Sequence, residues 1–333
     1  MAVVEEHRLP LTDDKLLLEV RDLCVEFPVG HGPSGRGSVV SAVDGVSFNI
    51  RRGETLGIVG ETGCGKSTLA RALLRAVKPK SGEVLLDGDD LLATRSRALR
   101  EKLRSMQMIF QDPFGSMDPK WRVRAIVREA LSDRTQPAAD QRIDELLLLV
   151  GLNPERHAGR YPRELSGGEC QRVAIARALA VDPELIICDE AVSSLDVSIQ
   201  AQILNLFLRL RQELNLSYLF IAHDLTVVKH VSDRVAVMYL GRLCEIGPAA
   251  ALYEQTLHPY TDALLAAVPS TDPGAPHVTL RATGEPASPI NPPSGCRYRT
   301  RCPRAQERCA FEIPVMREVG PEHFVACHYP LED

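Results

Sequence analysis

The eight residues Gly60-Glu61-Thr62-Gly63-Cys64-Gly65-Lys66-Ser67 have the spacing G-x-x-x-x-G-K-[ST], which binds phosphate when it joins a strand to a helix. Glycines let backbone N–H groups face phosphate oxygens, and the following helix adds the positive end of its dipole. Lys66 then supplies a point charge, and the Ser67 hydroxyl, with Thr68 behind it, suits a nucleotide phosphate and Mg2+. The bland reading is a helix with a glycine-rich entry turn. A second set ends the apolar run Leu185-Ile186-Ile187-Cys188 with Asp189 and Glu190, at the carboxyl edge of a strand, where ligands of α/β sheets bind. Asp189 suits magnesium, and Glu190, one residue on, suits a general base that takes a proton from water. Acid pairs also cap helices, so this pair gains its meaning from its place in the series.

The third set is Leu165-Ser166-Gly167-Gly168-Glu169, ahead of the amphipathic run CQRVAIARALA. It puts a serine hydroxyl and two glycines at a helix N-terminus, a second anion-binding end. The fourth lies in the last 40 residues, where Cys296, Cys302, Cys309 and Cys327 are spaced C-x5-C-x6-C-x17-C, with Arg297, Arg299, Arg301 and Arg304 among them. Four thiolates can hold zinc or an iron–sulfur cluster, and the spacing does not choose between them. The arginines would offset a negative thiolate site or solvate a loop. The other five cysteines, Cys24, Cys64, Cys170, Cys188 and Cys244, sit in segments of regular pattern and read as small buried hydrophobes.

The elements that must position these groups are legible in outline. Residues 16 to 27 and 39 to 50 read as two strands around a Gly/Pro/Ser loop, an antiparallel N-terminal piece. TLGIVG is a short buried strand, and KSTLARALLRAV has helical spacing, so the phosphate loop opens a βαβ unit. The apolar runs GEVLLDG, QMIFQ, LIICDE, SYLFIAHD and RVAVMYLG alternate with helical patterns near 140 to 151, 168 to 180 and 198 to 214. That rhythm predicts an α/β core of helices on a largely parallel sheet. Seven prolines between Pro269 and Pro293 predict an extended linker. The expected organisation is a nucleotide-binding domain over 16–268, a linker over 269–293 and a Cys-rich module over 294–333.

Composition narrows the function classes. Over 333 residues, apolar residues make up 44% and charged residues 25%, as in ordinary soluble domains. Thirty-nine basic against 44 acidic residues leave a formal charge of −5, which gives no overall footprint for a duplex-binding surface. No apolar run approaches the ~20 residues that span a bilayer, and the start MAVVEEHRLP has no signal-peptide core. A cytoplasmic protein is expected.

In order, the phosphate loop, Gln111 in IFQD, the Ser166-Gly167-Gly168 segment, Asp189-Glu190, Ser194-Leu195-Asp196 and His223 in IAHD resemble the motif series of the ATP-binding cassette family. The resemblance implies a P-loop core sheet, an N-terminal antiparallel β-subdomain and a helical subdomain carrying the signature, here followed by a small Cys-rich appendage. It implies an ATPase whose two sites close when two nucleotide domains meet head to tail. Gly60 to Thr68 and Phe27 would bind ATP, with Phe27 stacking on adenine; Ser67, Gln111 and Asp189 would serve Mg2+. Glu190, His223 and Gln111 would be catalytic, and Ser166, Gly167, Gly168 and Glu169 would serve the nucleotide of the opposite subunit, with Asp196 in the loop between. Phe27 has an alternative reading as a core strand residue. Ala191 stands where the family usually has proline, which removes no catalytic atom.

The runs AVDGVSFNIRRGETLGIVGETGCGKSTLARALL, LSGGECQRVAIARAL and SSLDVSIQAQILNL, with HPYTDALLAAVP and PINPPSGCRYRTRCP, look like the ATP-binding subunits of bacterial dipeptide and oligopeptide importers. The likeness covers residues 16 to 330, and FPVGHGPSGRGSVVSAVDGV with IICDE is more similar to the F-type paralogue. This resemblance implies a paralogous ATPase as partner in a heterodimer, two membrane permeases and an extracytoplasmic solute-binding protein. The place of work would be the cytoplasmic face of the membrane. It also implies a four-iron four-sulfur cluster at Cys296, Cys302, Cys309 and Cys327, with zinc as the alternative. Relatives that move nickel or glutathione leave the solute open; a soluble cassette ATPase acting on nucleic acid is the reading from another class.

Overall fold

The computed structural model describes residues 16–29, 38–94, 96–131, 137–268 and 287–331. In chain order the elements begin with β1 (Leu16–Val29), β2 (Ser38–Arg51), β3 (Thr55–Val59), α1 (Lys66–Leu73), β4 (Ser81–Leu86) and β5 (Asp89–Asp90). There follow α2 (Ser96–Arg104), β6 (Met106–Ile109), α3 (Val123–Ala130), α4 (Ala138–Leu149), α5 (Pro154–His157), α6 (Gly167–Leu179), β7 (Leu185–Asp189), α7 (Val197–Leu214) and β8 (Ser217–Ile221). The chain ends with α8 (Leu225–Val231), β9 (Arg234–Tyr239), β10 (Arg242–Pro248), α9 (Ala249–Glu254), α10 (Pro259–Ala266), α11 (Arg308–Phe311), β11 (Arg317–Gly320) and β12 (His323–Val325). Two units divide these elements: the first takes Met1–Arg51, Leu56–Ala93 and His223–Asp333, the second Arg52–Thr55 and Thr94–Ala222.

In the first unit, β1 is the centre of an antiparallel sheet of order β2-β1-β4-β5. Its alternation of apolar and polar residues buries Leu18, Val20, Leu23 and Val25 on one side, as a sheet with one packed face requires. Val20 faces Phe48 and Val25 faces Val43 across the β1–β2 ladder. The run GEVLLDG, read from sequence as part of the parallel rhythm, forms β4 and pairs antiparallel with β1, Val84 opposite Val20. Its apolar residues fit either sheet; the partner strand decides. The same unit holds the strands β11-β12-β10-β9-β3 of a second sheet. Here β3 and β9 are parallel, Ile58 opposite Ala236, while β9–β10, β10–β12 and β11–β12 are antiparallel.

In the second unit β8, β7 and β6 run parallel, with Ile187 opposite Leu219 on one side and Met108 on the other. β7 and β8 are buried along their whole length, which explains their unbroken apolar runs. α6 sends Val173, Ala174, Ile175 and Ala176 inside, and α7 contributes Ile203, Phe207 and Leu210. Phe207 meets Tyr218 and Phe220 edge to face at 5.5 and 6.0 Å. The helical patterns expected near 140 to 151, 168 to 180 and 198 to 214 are α4, α6 and α7.

Of the expected linker, residues 269–286 lie outside the described residues, as do 30–37 between β1 and β2. Among the described residues no helix is long and apolar enough to cross a membrane.

Candidate nucleotide-binding site

The phosphate loop lies between β3 and α1. Gly65 is the N-cap of α1, with φ of 112° and no side chain to cap the first turn, so the backbone donors of that turn face outward without an internal competitor. A Cβ on Gly65 would stand 2.1 Å from the Ala42 carbonyl oxygen, and one on Gly60 would stand 2.1 Å from that of Met238. Both positions therefore need glycine because β2 and β9 press against the loop. The Gly241 N–H donates to the Cys64 carbonyl at 2.7 Å and the Asp44 N–H to the Gly241 carbonyl at 2.9 Å, which ties the loop to both neighbours.

Lys66 is 5% exposed. Its ammonium donates to the carbonyl oxygens of Gly60 at 2.6 Å and Glu61 at 3.1 Å, and meets the Cys64 sulfur at 3.8 Å. Burial pushes the Cys64 thiol up from its ordinary value, with Lys66 pulling the other way. Thr62 and Gly63 are exposed, and Ser67 and Thr68 are half-buried. In the same unit His223 lies exposed just ahead of α8, and Asp224 caps that helix by accepting from the Thr226 and Val227 N–H groups. Phe27 pairs with Val40 near the end of β1 and is 38% exposed, so the core reading of this residue does not hold.

The second unit carries the acids. Asp189 ends β7 and is buried. Glu190 follows in the left-handed region, φ 52°, a conformation that costs a non-glycine residue free energy and gathers at functional sites. Its N–H donates to the Ile221 carbonyl of β8 at 2.9 Å, and its carbonyl accepts from the Ser193 N–H and hydroxyl at 3.1 and 2.9 Å. Ala191 is buried. Gln111, exposed just past β6, accepts the Ser194 hydroxyl on its carbonyl at 3.1 Å. The segment after β7 and the one after β6 are thus joined.

Ser166 caps α6 and is exposed. Its hydroxyl oxygen accepts from the Glu169 N–H at 3.3 Å, while the Glu169 carboxylate accepts from the Ser166 N–H at 2.8 Å and hydroxyl at 3.0 Å. This reciprocal pair is a capping box. The Ser166 N–H, followed by burial working against it, holds the Glu169 carboxyl below its ordinary value. A Cβ on Gly168 would stand 2.6 Å from Ile199 Cγ2 and one on Gly167 3.4 Å from Leu195, so the signature glycines let α6 approach the start of α7. Asp196 is the N-cap of α7 and accepts from the Ile199 N–H and the Ser198 hydroxyl, both at 3.0 Å. Sequence reasoning placed Asp196 in a motif without seeing this cap, although Asp two residues ahead of an apolar run signals one.

Cys296, Cys302, Cys309 and Cys327 line one recess of the first unit, together with His258, Tyr298 and His328. The Cys296 N–H donates to the Cys309 carbonyl at 2.8 Å. Burial pushes up the thiols of Cys296 and Cys302, and that of Cys327 to about 11. Among the described residues, however, no three His, Cys, Asp or Glu side chains are grouped so as to hold a metal ion. The expectation of a metal centre is therefore not supported by the described residues, which show four thiols lining one recess and no more. The arginines also differ from expectation. Arg297 is 8% exposed and bonds to Asp44 and to the Leu240 carbonyl, and Arg301 pairs with Glu61, so two of the four serve carboxylates elsewhere. Of the other five cysteines, four are buried as read, and Cys24 is half-buried.

The model of the ABC transporter family matches residues 43–193, and that of the oligopeptide/dipeptide transporter C-terminal region matches residues 244–309. The chain is 49% identical to the oligopeptide transport ATP-binding protein AppF of Bacillus subtilis, over 95% of this chain and 98% of that one. It is also 49% identical to the oligopeptide transport ATP-binding protein OppF of Salmonella typhimurium, over 98% of each. Among solved structures, cbiO1 of Clostridium perfringens, part of the ABC transporter complex cbiONQ, aligns with a TM-score of 0.62 at 28% identity, over 73% of this chain and 92% of that one. The ATP-binding cassette MJ0796, a dimer in a post-hydrolysis state bound to ADP and Pi, aligns with a TM-score of 0.60 at 25% identity, over 70% and 99%. With a phosphate loop on β3–α1, acids ending β7 and a capped signature helix in place, the chain belongs to the ATP-binding cassette family, among the F-type oligopeptide transport ATP-binding proteins.

Proposed function

We propose that this chain hydrolyses ATP and couples the energy to import of dipeptides or oligopeptides, as one of two nucleotide domains beneath membrane permeases. The observation that carries this reading is the glycine-enforced loop with Lys66 at the start of α1, in a chain that matches peptide-transport ATPases over nearly its whole length. In this reading 16–268 is the ATPase domain and 294–333 an appended module beyond the linker. The partner ATPase is a paralogue, and a solute-binding protein outside the cell delivers the peptide. The chain works at the cytoplasmic face of the membrane.

Each residue has a task. Backbone donors from Gly60 to Gly65, Lys66, Ser67 and Thr68 bind the phosphates, and the exposed ring of Phe27 offers a stacking face for adenine. Ser67, Gln111 and Asp189 hold Mg2+, which supplies charge neutralisation at the phosphoryl oxygens. Glu190 takes the proton of the attacking water, and His223 contacts the γ-phosphate side. The left-handed backbone at Glu190 aims its carboxylate differently from a residue that continued the strand. Ser166, Gly167, Gly168 and Glu169 act on the nucleotide bound by the partner, and Asp196 fixes the turn that faces them. Support for this division comes from Ser166, which is exposed at its helix N-terminus and so able to meet an anion from another chain.

For the cysteine module we favour a four-iron four-sulfur cluster over zinc. The resemblance to the importer subunits implies it, and four thiols lining one recess are the ligand type that either centre takes. Such a cluster would order a segment too small to build its own core.

The test of the catalytic reading is Glu190→Gln, which keeps shape and removes the proton acceptor. In the complex assembled with its permeases and partner ATPase, hydrolysis should fall about 10²-fold or more while ATP binding survives. Hydrolysis at the unaltered rate would refute Glu190 as the base.

A further inference from the structure

Glu61 puts a carboxylate inside a loop whose task is to hold anions, and the fold deals with that charge in a particular way. The Arg301 Nη1 donates to both Glu61 carboxylate oxygens, at 2.8 and 2.9 Å. Its side chain is 11% exposed, and its guanidinium lies 6.0 Å from the ring centre of Tyr239 and 5.9 Å from that of Tyr298. Those two rings and Tyr260 form a buried cluster with centroids 4.6 to 5.3 Å apart. Tyr260, on α10, accepts the Glu61 N–H on its hydroxyl at 2.9 Å, while the Glu61 carbonyl accepts Lys66 at 3.1 Å. The Glu61 carbonyl also accepts the Cys64 N–H at 3.2 Å, so every polar group of Glu61 is held, and the two holders from outside the loop, Arg301 and Tyr260, come from the C-terminal region. Arg301 directly precedes Cys302, and its N–H closes a turn on the Tyr298 carbonyl at 3.0 Å; Tyr298 and Cys302 line the cysteine recess.

We propose that Arg301 is a positioning residue for nucleotide binding, which neutralises and fixes Glu61 so that the C-terminal module sets the affinity of the phosphate loop. This deepens the phosphate-loop reading above and rests on it. Without Arg301 the Glu61 carboxylate is an unpaired like charge beside the incoming phosphates. The effect belongs to charge, so it is reversible by removing the acid as well.

The experiment is equilibrium titration of the purified full chain with a fluorescent ATP analogue, on Arg301→Gln, Glu61→Gln, the double variant and Lys66→Ala. Arg301→Gln should bind about tenfold more weakly, the size of one charge interaction at a partly exposed site. The double variant should return to within about twofold of the parent, since both charges are then gone. Glu61→Gln alone leaves Arg301 facing the loop and should tighten binding a few-fold. That variant reads the same contact if Arg301→Gln fails to fold. A double variant as weak as Arg301→Gln, or weakened binding in Glu61→Gln, overturns the proposal. Lys66→Ala separates the two levels: if it binds like the parent, the phosphate-loop reading itself falls, whereas its loss beside an unchanged Arg301→Gln sinks only the positioning role.

Discussion

Replacing Glu245 by alanine should destabilise the C-terminal half of the first unit by several kcal/mol. Glu245 sits in β10 and is fully buried. Its side-chain oxygens accept the N–H groups of Leu257 and His258, both at 2.9 Å, and meet the His323 ring at 2.8 Å, so one residue joins β10, the entry to α10 and β12. In Glu245→Ala one buried and one partly buried backbone donor lose their acceptor; at about 1–3 kcal/mol for a buried donor, and less for the partly buried one, that is about 2–4 kcal/mol, before the His323 ring and the cavity are counted. Against a typical stability of about 5–15 kcal/mol this is a large fraction. Glu245→Gln keeps one acceptor oxygen and should lose about half as much. Urea unfolding gives the global value, and amide exchange at Leu257 and His258 gives the local one. Because Tyr260 lies on the same helix and touches Glu61, nucleotide binding should weaken in parallel. A loss below about 1 kcal/mol, or a glutamine variant as damaged as the alanine one, would refute the reasoning, since neither fits a carboxylate that satisfies buried donors.

Two further outcomes concern the same region. Burial drives the pKa of His258 down to about 4, against the opposing pull of Glu245, so the folded chain keeps this ring neutral where the unfolded chain, near 6.5, takes a proton. Its contribution is complete above about pH 6.5 and drains away as pH falls towards 4, by about 3 kcal/mol in all; His258→Asn, which retains a cap acceptor for the Tyr260 N–H, should flatten that stretch of the stability profile, and an unchanged profile would discard the buried-neutral assignment. Anaerobically purified chain should be brown and carry about four iron and about four sulfide. Cys302→Ser should bleach it and Cys64→Ser should not, whereas colourless protein with one zinc would replace the cluster.

The phosphate loop was readable because it is local: a buried strand, fixed glycine spacing and a helix occupy one short segment, and each leaves its own pattern. The β7 acids and the α6 cap share that property. What escaped reading was pairing across distance. GEVLLDG carries an apolar pattern that either sheet accepts, and only the β1 register of Val84 opposite Val20 decides. RLCEIGP pairs with the adjacent β9, but its second partner, β12, reaches it from 78 positions away through His323 and Glu245. The arginines among the cysteines read as local counter-charges or as loop-solvating residues, yet Arg301 answers an acid 240 positions earlier. Opposite charges carry no address in a sequence, so ion pairs of this kind become visible only when the sheets have brought their strands together. Phe27 illustrates the same limit in reverse: its place on β1 was clear, but whether the ring faced inward or outward depended on how far the sheet's packed face extends.

The short strands near the C-terminus also decide which edge the larger sheet presents. β10 is buried almost throughout, and β12 occupies its outer edge through Glu245 opposite Val325 and Ile246 opposite Phe324. β11, which covers β12 in turn, is four residues long, mostly exposed, and carries Arg317 and Glu318. A brief charged strand makes a poor template for further strand addition, whereas a long apolar edge invites it. Without the residues from Arg317 onward the uncovered edge would be that of β10, seven residues long and buried over its five central positions. The last strands therefore close an edge of the larger sheet that the strands before them leave open.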